Sequence, residues 1–306
     1  MKMEIYYGKS DVSTYRTYAT PLTGITPIPE SSFIGRSNTL LAASINVRVL
    51  GTAFASAYTE GDNRLVVATD TMKNFIHRES LAFSGATLEE WLEFIGRRFL
   101  ETYPHMERMR VSGTEIPFEP ALVPVDGGFI ASEVLFERQH GDRSTASLDL
   151  GRTNAGVEVT DLSAGRIGLQ MMKVTGSAFA DFARDSYTTL PERKDRPLYI
   201  HLDVGWKYDA PTTALAAHHE QYIAGEQVAD MVGAVFARFV SLSIQHLIHE
   251  IGQAILDRWP QLSEISFDAQ NRLWDLSETA PSDERVRVYT DPRPPYGHLG
   301  LVLRRG

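Results

Sequence analysis

FLETYPHMERMRV, residues 99–111, has an echo in ILDRWPQLSEISF, residues 255–267. Their prolines, Pro104 and Pro260, stand 156 positions apart, and the register holds on both sides. Leu100 corresponds to Leu256, Glu101 to Asp257, Tyr103 to Trp259, Met106 to Leu262, Met109 to Ile265 and Val111 to Phe267. Before each proline the apolar residues recur at helical spacing, and a proline stops a helix because it lacks an N–H and restricts the residue before it. After each proline they alternate, as in a strand with one buried face. A helix–strand module is therefore expected twice. An offset of 156 is about half of the 306 residues, which fits a duplicated unit over 1–150 and 151–306.

Upstream, Leu88, Trp91, Leu92, Ile95, Phe99 and Tyr103 form one apolar stripe, which predicts a helix over 88–103. A second helical region spans 227–258, with a break at Ser241-Leu242-Ser243, where a serine can cap a new start. Strands are expected at 45–49, 65–68, 129–136, 144–150, 157–162, 167–174 and 198–204. Thr20 to Asn38, rich in Thr, Pro, Gly and Ser, reads as an irregular excursion, and Tyr289 to Gly297, with three prolines, as an extended segment.

Composition narrows the functional classes. The chain has no cysteine, which removes disulfides, thiolate nucleophiles and cysteine metal sites. Its net charge of −9 argues against a nucleic-acid partner, which needs a basic face. No apolar run approaches about 18 residues, so no membrane partner is expected. The charged start MKMEIYYGKS does not suit a signal peptide, and the ending VLRRG is no peroxisomal address, so a cytoplasmic location is expected. There is no phosphate loop and no nucleophile elbow. His246 and His249 stand three apart on a helix beside Glu250, but in neither order known for zinc peptidases, and His218-His219-Glu220 reads as loop polarity.

The segment from Tyr58 to Asn74, YTEGDNRLVVATDTMKN, is more telling. A turn at Gly61-Asp62-Asn63 leads into an apolar run that ends at Thr69-Asp70-Thr71, as at a strand end followed by a helix N-cap. That places a hydroxyl and open backbone N–H groups at the rim of a sheet, although on these residues alone a simple capped turn is the favoured reading.

VVATDTMKN (66–74), preceded by YTEGDN, closely resembles the urate oxidase (uricase) family. So do Tyr7-Gly8-Lys9 and SAFADFARDSYTTL (177–190), and the resemblance covers essentially the whole chain in order. It implies an α+β fold of two tandem tunnelling-fold (T-fold) units, each an antiparallel sheet with helices on one face. It also implies a homotetramer forming a hollow β-barrel, with active sites between subunits. The implied reaction is oxidation of urate by O2 to 5-hydroxyisourate and hydrogen peroxide, with no metal or other cofactor.

By the same resemblance, Phe179 stacks on urate and Arg196 grips a urate carbonyl and ring nitrogen with its planar fork. The Ile244 backbone N–H and the Gln245 side chain meet urate's polar edge. If Ser243 caps the helix, the Ile244 N–H is a first-turn donor at a positive helix end, suited to an anion. Asn271 holds O2 or water above the ring. Lys9 and Thr69 handle the proton as a catalytic pair supplied across the interface. Asp70 contacts urate through its backbone N–H, while its side chain caps the turn. Many relatives carry a histidine two positions after the asparagine, where this chain has Leu273; a water or His298 is the expected substitute. Two further readings stay open: another T-fold enzyme acting on pterin- or purine-type rings, and a non-catalytic purine-binding barrel.

Overall fold

Residues 3–306 are described by a computed structural model. The described residues divide into two compact units, one comprising 3–27, 33–165 and 207–224, the other 28–32, 166–206 and 225–306.

The first unit starts with β1 (Tyr6–Thr17) and β2 (Leu40–Leu50), antiparallel partners with a bulge between Lys9 and Val12. Three helices follow: α1 (Ala55–Thr59), α2 (Thr69–Ser80) and α3 (Leu88–Thr102). Then come β3 (Arg108–Glu115), the hairpin of β4 (Phe118–Val125) and β5 (Gly128–Arg138), and β6 (Arg143–Thr153). β7 (Gly156–Lys173) is long, and the units divide within it, at Gly165/Arg166. The first unit's sheet has the order β1-β2-β3-β6-β7, with β1 at an edge. Ile45, Val47 and Val49 of β2, with Met109 and Val111 of β3, are buried. So are Trp91, Leu92, Ile95 and Phe99 of α3, the stripe read from the sequence. Each such side chain contributes about 1.5–3 kcal/mol by leaving water.

β8 (Leu198–Tyr208) divides between the units at Trp206/Lys207. The second unit continues with α4 (Gly225–Arg238), α5 (Ile244–Arg258), β9 (Leu262–Asn271), the hairpin of β10 (Asp275–Thr279) and β11 (Arg287–Thr290), and β12 (Gly297–Arg304). Its sheet order is β7-β8-β9-β12, with β9 and β12 antiparallel. The helical region thus breaks between Arg238 and Ile244, and Ser243 caps the restart by accepting from the His246 N–H. The architecture is α+β with antiparallel pairing. No helix among the described residues is long and apolar enough to cross a membrane.

The echo extends well beyond the stretch that revealed it. α3 and α5 each have 15 residues, and their limits, N-caps (Thr87, Ser243) and C-caps (Tyr103, Trp259) all keep the 156 offset. Gly96 and Gly252 keep it too. A Cβ at Gly96 would lie 2.6 Å from Leu150 Cδ1, and one at Gly252 2.7 Å from Leu303 Cδ1, so in both units a bare backbone lets the helix settle onto its sheet.

Two expectations need correcting. Leu65 to Ala68 is not a strand but an irregular lead into α2. Side chains take the groups a strand would pair: the Tyr7 hydroxyl accepts from the Val67 N–H at 2.9 Å, and His105 Nε2 lies 3.1 Å from the Leu65 carbonyl. The runs at 157–162 and 167–174 are not two strands; both belong to β7, apart from Val174 beyond its end.

Candidate active site

The expected residues fall into two groups. Phe179, Arg196, Ile244, Gln245 and Asn271 line one pocket of about 220 Å³ in the second unit, together with Leu190, Leu273, Gly297, His298 and Leu299. Three separate stretches of chain converge there.

The first is a loop leaving β7. It folds back at Phe179, whose backbone exchanges two hydrogen bonds with Arg193 at 2.7 and 2.9 Å. Asp195 closes its base, its carboxylate accepting from the Thr175 hydroxyl and, at 2.7 Å, from the Gly176 N–H. The next residue is Arg196, whose guanidinium carbon stands 5.4 Å from the centre of the Phe179 ring. Phe182 backs that ring, centroids 5.0 Å apart and 12° from parallel. Burial pushes the Arg196 pKa down, and its Nε is buried without a partner. A desolvated donor with nothing to donate to is unfavourable in isolation and suits a ligand carrying acceptors.

The second stretch is the start of α5. The first-turn N–H groups of Ile244 and Gln245 have no intrahelical acceptor, and Ser243 satisfies only His246. Ile244 is buried, whereas the Gln245 side chain is exposed. The third is the end of β9, where Asn271 stands opposite Gly297 of β12, with its Oδ1 buried and unpaired. His298 pairs with Gln270, so by strand alternation its ring shares the face of Gln270 and Asp268 rather than that of Asn271. Its Nε2 lies 2.7 Å from Asp268 Oδ1.

Lys9, Thr69 and Asp70 are in the first unit. Lys9 sits at the β1 bulge, half-buried, and Thr69 is the exposed first residue of α2. The Tyr7–Val67 hydrogen bond ties these two stretches together. Asp70 does not cap the helix: the N-cap is Ala68, with no side-chain bond. Instead the Asp70 carboxylate accepts from Lys73 at 2.5 Å and Asn74 at 3.1 Å. Lys73 chiefly, with a contribution from the Lys9 charge, holds its pKa below the usual carboxylate value. The first-turn N–H groups of α2 therefore remain open, beside two cations.

Among the described residues no three His, Cys, Asp or Glu side chains gather as a metal site would require. His246 and His249 lie instead 3.9 and 3.5 Å from Glu250. Sequence reading missed the Asp195 clamp and the contribution of Leu190. Nothing in their spacing marks them, although Leu190 closes the SAFADFARDSYTTL string.

The sequence profile of the Uricase family matches residues 43–143 and 162–299. The uricase of Haloferax volcanii is 45% identical over 302 residues, 98% of each chain. The uric acid degradation bifunctional protein of Bacillus sp. (strain TB-90) is 44% identical over 96% of this chain, which spans 59% of that relative's length. The crystal structure of Bacillus sp. TB-90 urate oxidase superposes with a TM-score of 0.95 at 43% identity, covering 99% of this chain and all of that one. With a family profile matched across most of its length and these identities, the chain belongs to the uricase family.

Proposed function

We propose that this protein oxidises urate: urate, O2 and water give 5-hydroxyisourate and hydrogen peroxide. What carries the reading is the convergence of Phe179, Arg196, Ile244, Gln245 and Asn271 on one pocket with two unpaired buried polar atoms, Arg196 Nε and Asn271 Oδ1.

Urate is flat, anionic and edged with alternating donors and acceptors. Phe179, backed on one side by Phe182, offers a face for stacking. The Arg196 fork donates to a carbonyl and a neighbouring ring nitrogen, and the low polarity around it strengthens both bonds. Gln245 donates and accepts along the opposite edge, while the Ile244 N–H adds a donor at the positive end of α5. Asn271 holds O2, and then the attacking water, above the ring.

Lys9 and Thr69 come from a neighbouring chain. Thr69 and Lys9 take a proton from urate, the Thr69 hydroxyl acting as the relay, and the electron-rich anion that remains gives electrons to O2 one at a time. This stepwise transfer avoids the spin barrier between a singlet organic molecule and triplet O2. It requires no metal or organic cofactor. Asp70 contributes its backbone N–H, its side chain being engaged by Lys73. At the third relay position stands Leu273, and the His298 ring is engaged by Asp268, so a water is the better substitute. The same reading takes the chain as two T-fold units over 1–150 and 151–306, four chains closing a hollow barrel. The repeated 156 offset of caps, helices and glycines supports the duplication.

The test is to follow urate's ultraviolet absorbance and peroxide release with aerobic purified protein. One peroxide per urate consumed is expected. Folded protein that leaves urate untouched would contradict the reading.

A further inference from the structure

Two serines join the walls of the pocket without lining it. Ser177 and Ser241 are both 0% exposed, and Ser241 Oγ donates to Ser177 Oγ at 3.2 Å. Their backbones form a parallel bridge in which the Ala178 N–H donates to the Ser241 carbonyl at 2.8 Å. The Ser177 carbonyl in turn accepts from the Arg196 N–H at 2.9 Å. Ser177 lies two residues before Phe179, and Ser241 three before Ile244. The stacking ring, the guanidinium and the start of α5 therefore all hang from this one joint. On the far side of Ser241, Lys173 Nζ donates to the carbonyls of Phe236 and Phe239 at 3.0 and 2.6 Å, which fixes the end of α4. A buried hydroxyl is unfavourable unless bonded, and these two serve each other.

We propose that the Ser177–Ser241 hydroxyl pair is a positioning element that sets the separation between the Phe179–Arg196 wall and the Ile244–Gln245 wall, and so governs the affinity for urate. This rests on the proposed urate oxidation, deepening it by naming residues that touch no substrate. A misplacement of about 1 Å in such a site costs as much as ~100-fold in rate. With the backbone bridge intact, the loss of one hydroxyl is expected to cost less, about fivefold to tenfold in KM.

Wild-type protein is assayed first; failure to consume urate there overturns the functional reading, independently of the serine pair. Ser177→Ala, Ser241→Ala and the double variant follow. The expected result is a KM raised about fivefold to tenfold in each single variant, with kcat within about twofold and an unchanged pH profile, because Lys9 and Thr69 are untouched. The double variant should raise KM by less than the product of the two single effects, since both remove the same bond. Should an alanine variant fold too poorly for kinetics, Ser241→Cys, similar in size and a weak donor, gives a smaller rise in KM in the same direction. Folded single variants with wild-type KM, or with lowered kcat at unchanged KM, would overturn the proposal.

Discussion

Arg196 and Thr69 carry different burdens, and their substitutions should separate in the kinetics. Arg196→Lys keeps the charge but replaces a planar fork with a point donor. It should raise the KM for urate at least tenfold, the equivalent of about 1.5–3 kcal/mol for a charged hydrogen bond. Thr69→Val removes the relay hydroxyl with little change of shape, and kcat should fall about 10²-fold or more at saturating urate, as loss of general base catalysis does. Unchanged turnover in Thr69→Val would contradict the proton relay. Arg196 was not legible from composition or spacing, where it looks like any solvated arginine; only the family resemblance singled it out. Its buried, partnerless Nε is the physical sign, and it arises because the loop carrying it is folded back and clamped by Asp195. Asp70 was legible as a residue at a helix start but not in its role, because Lys73 and Asn74, one turn on, outcompete the backbone for its carboxylate.

The paired helices α3 and α5 show what local sequence decides. Their stripes, caps and terminal prolines act within a few residues, so both helices could be read directly. The 65–68 stretch misled because its fate depends on Tyr7 and His105, 60 and 40 residues away. Ser243→Ala removes a capping oxygen and should destabilise by about 1 kcal/mol in chemical denaturation. The 156 offset also sets Glu89 of α3 in the place of Gln245. In the first unit that position is filled from within: the Tyr222 hydroxyl donates to Glu89 Oε2 at 3.2 Å, and Glu89 is only 4% exposed. Burial pushes the Glu89 pKa up from 4.5 to about 7. The folded state therefore holds a proton that the unfolded chain releases, so this group's contribution to stability is fully present below about pH 4.5 and is lost as pH rises through 7. Glu89→Gln should flatten that decline, gaining on the order of 3 kcal/mol relative to wild type between pH 5 and pH 8. Parallel melting curves for the two proteins across this range would contradict it.

In a single chain, each expected half of the site is left open. Thr69 is exposed, and the pocket opens to solvent at Gln245. Strand β1, which carries Lys9, and strand β12 each lie at a sheet edge. Nothing in a linear pattern shows whether one chain or two supply the halves; strand periodicity is the same whether an edge meets water or a neighbour. The division of the units inside β7 and β8 was equally hidden, since a long strand reads alike on both sides of such a point.

The proposed sharing of each site between chains makes a direct demand. Lys9→Met chains retain an intact Arg196 pocket, and Arg196→Gln chains retain an intact Lys9–Thr69 pair, so each homo-oligomer should be nearly inactive on urate. Co-expressing the two and assaying the mixed oligomers tests this sharing. Urate oxidation recovered well above the sum of the separate proteins, in proportion to mixed assembly, is the expected result. Mixed oligomers, verified by differential tagging, that remain as inactive as their parents would contradict it.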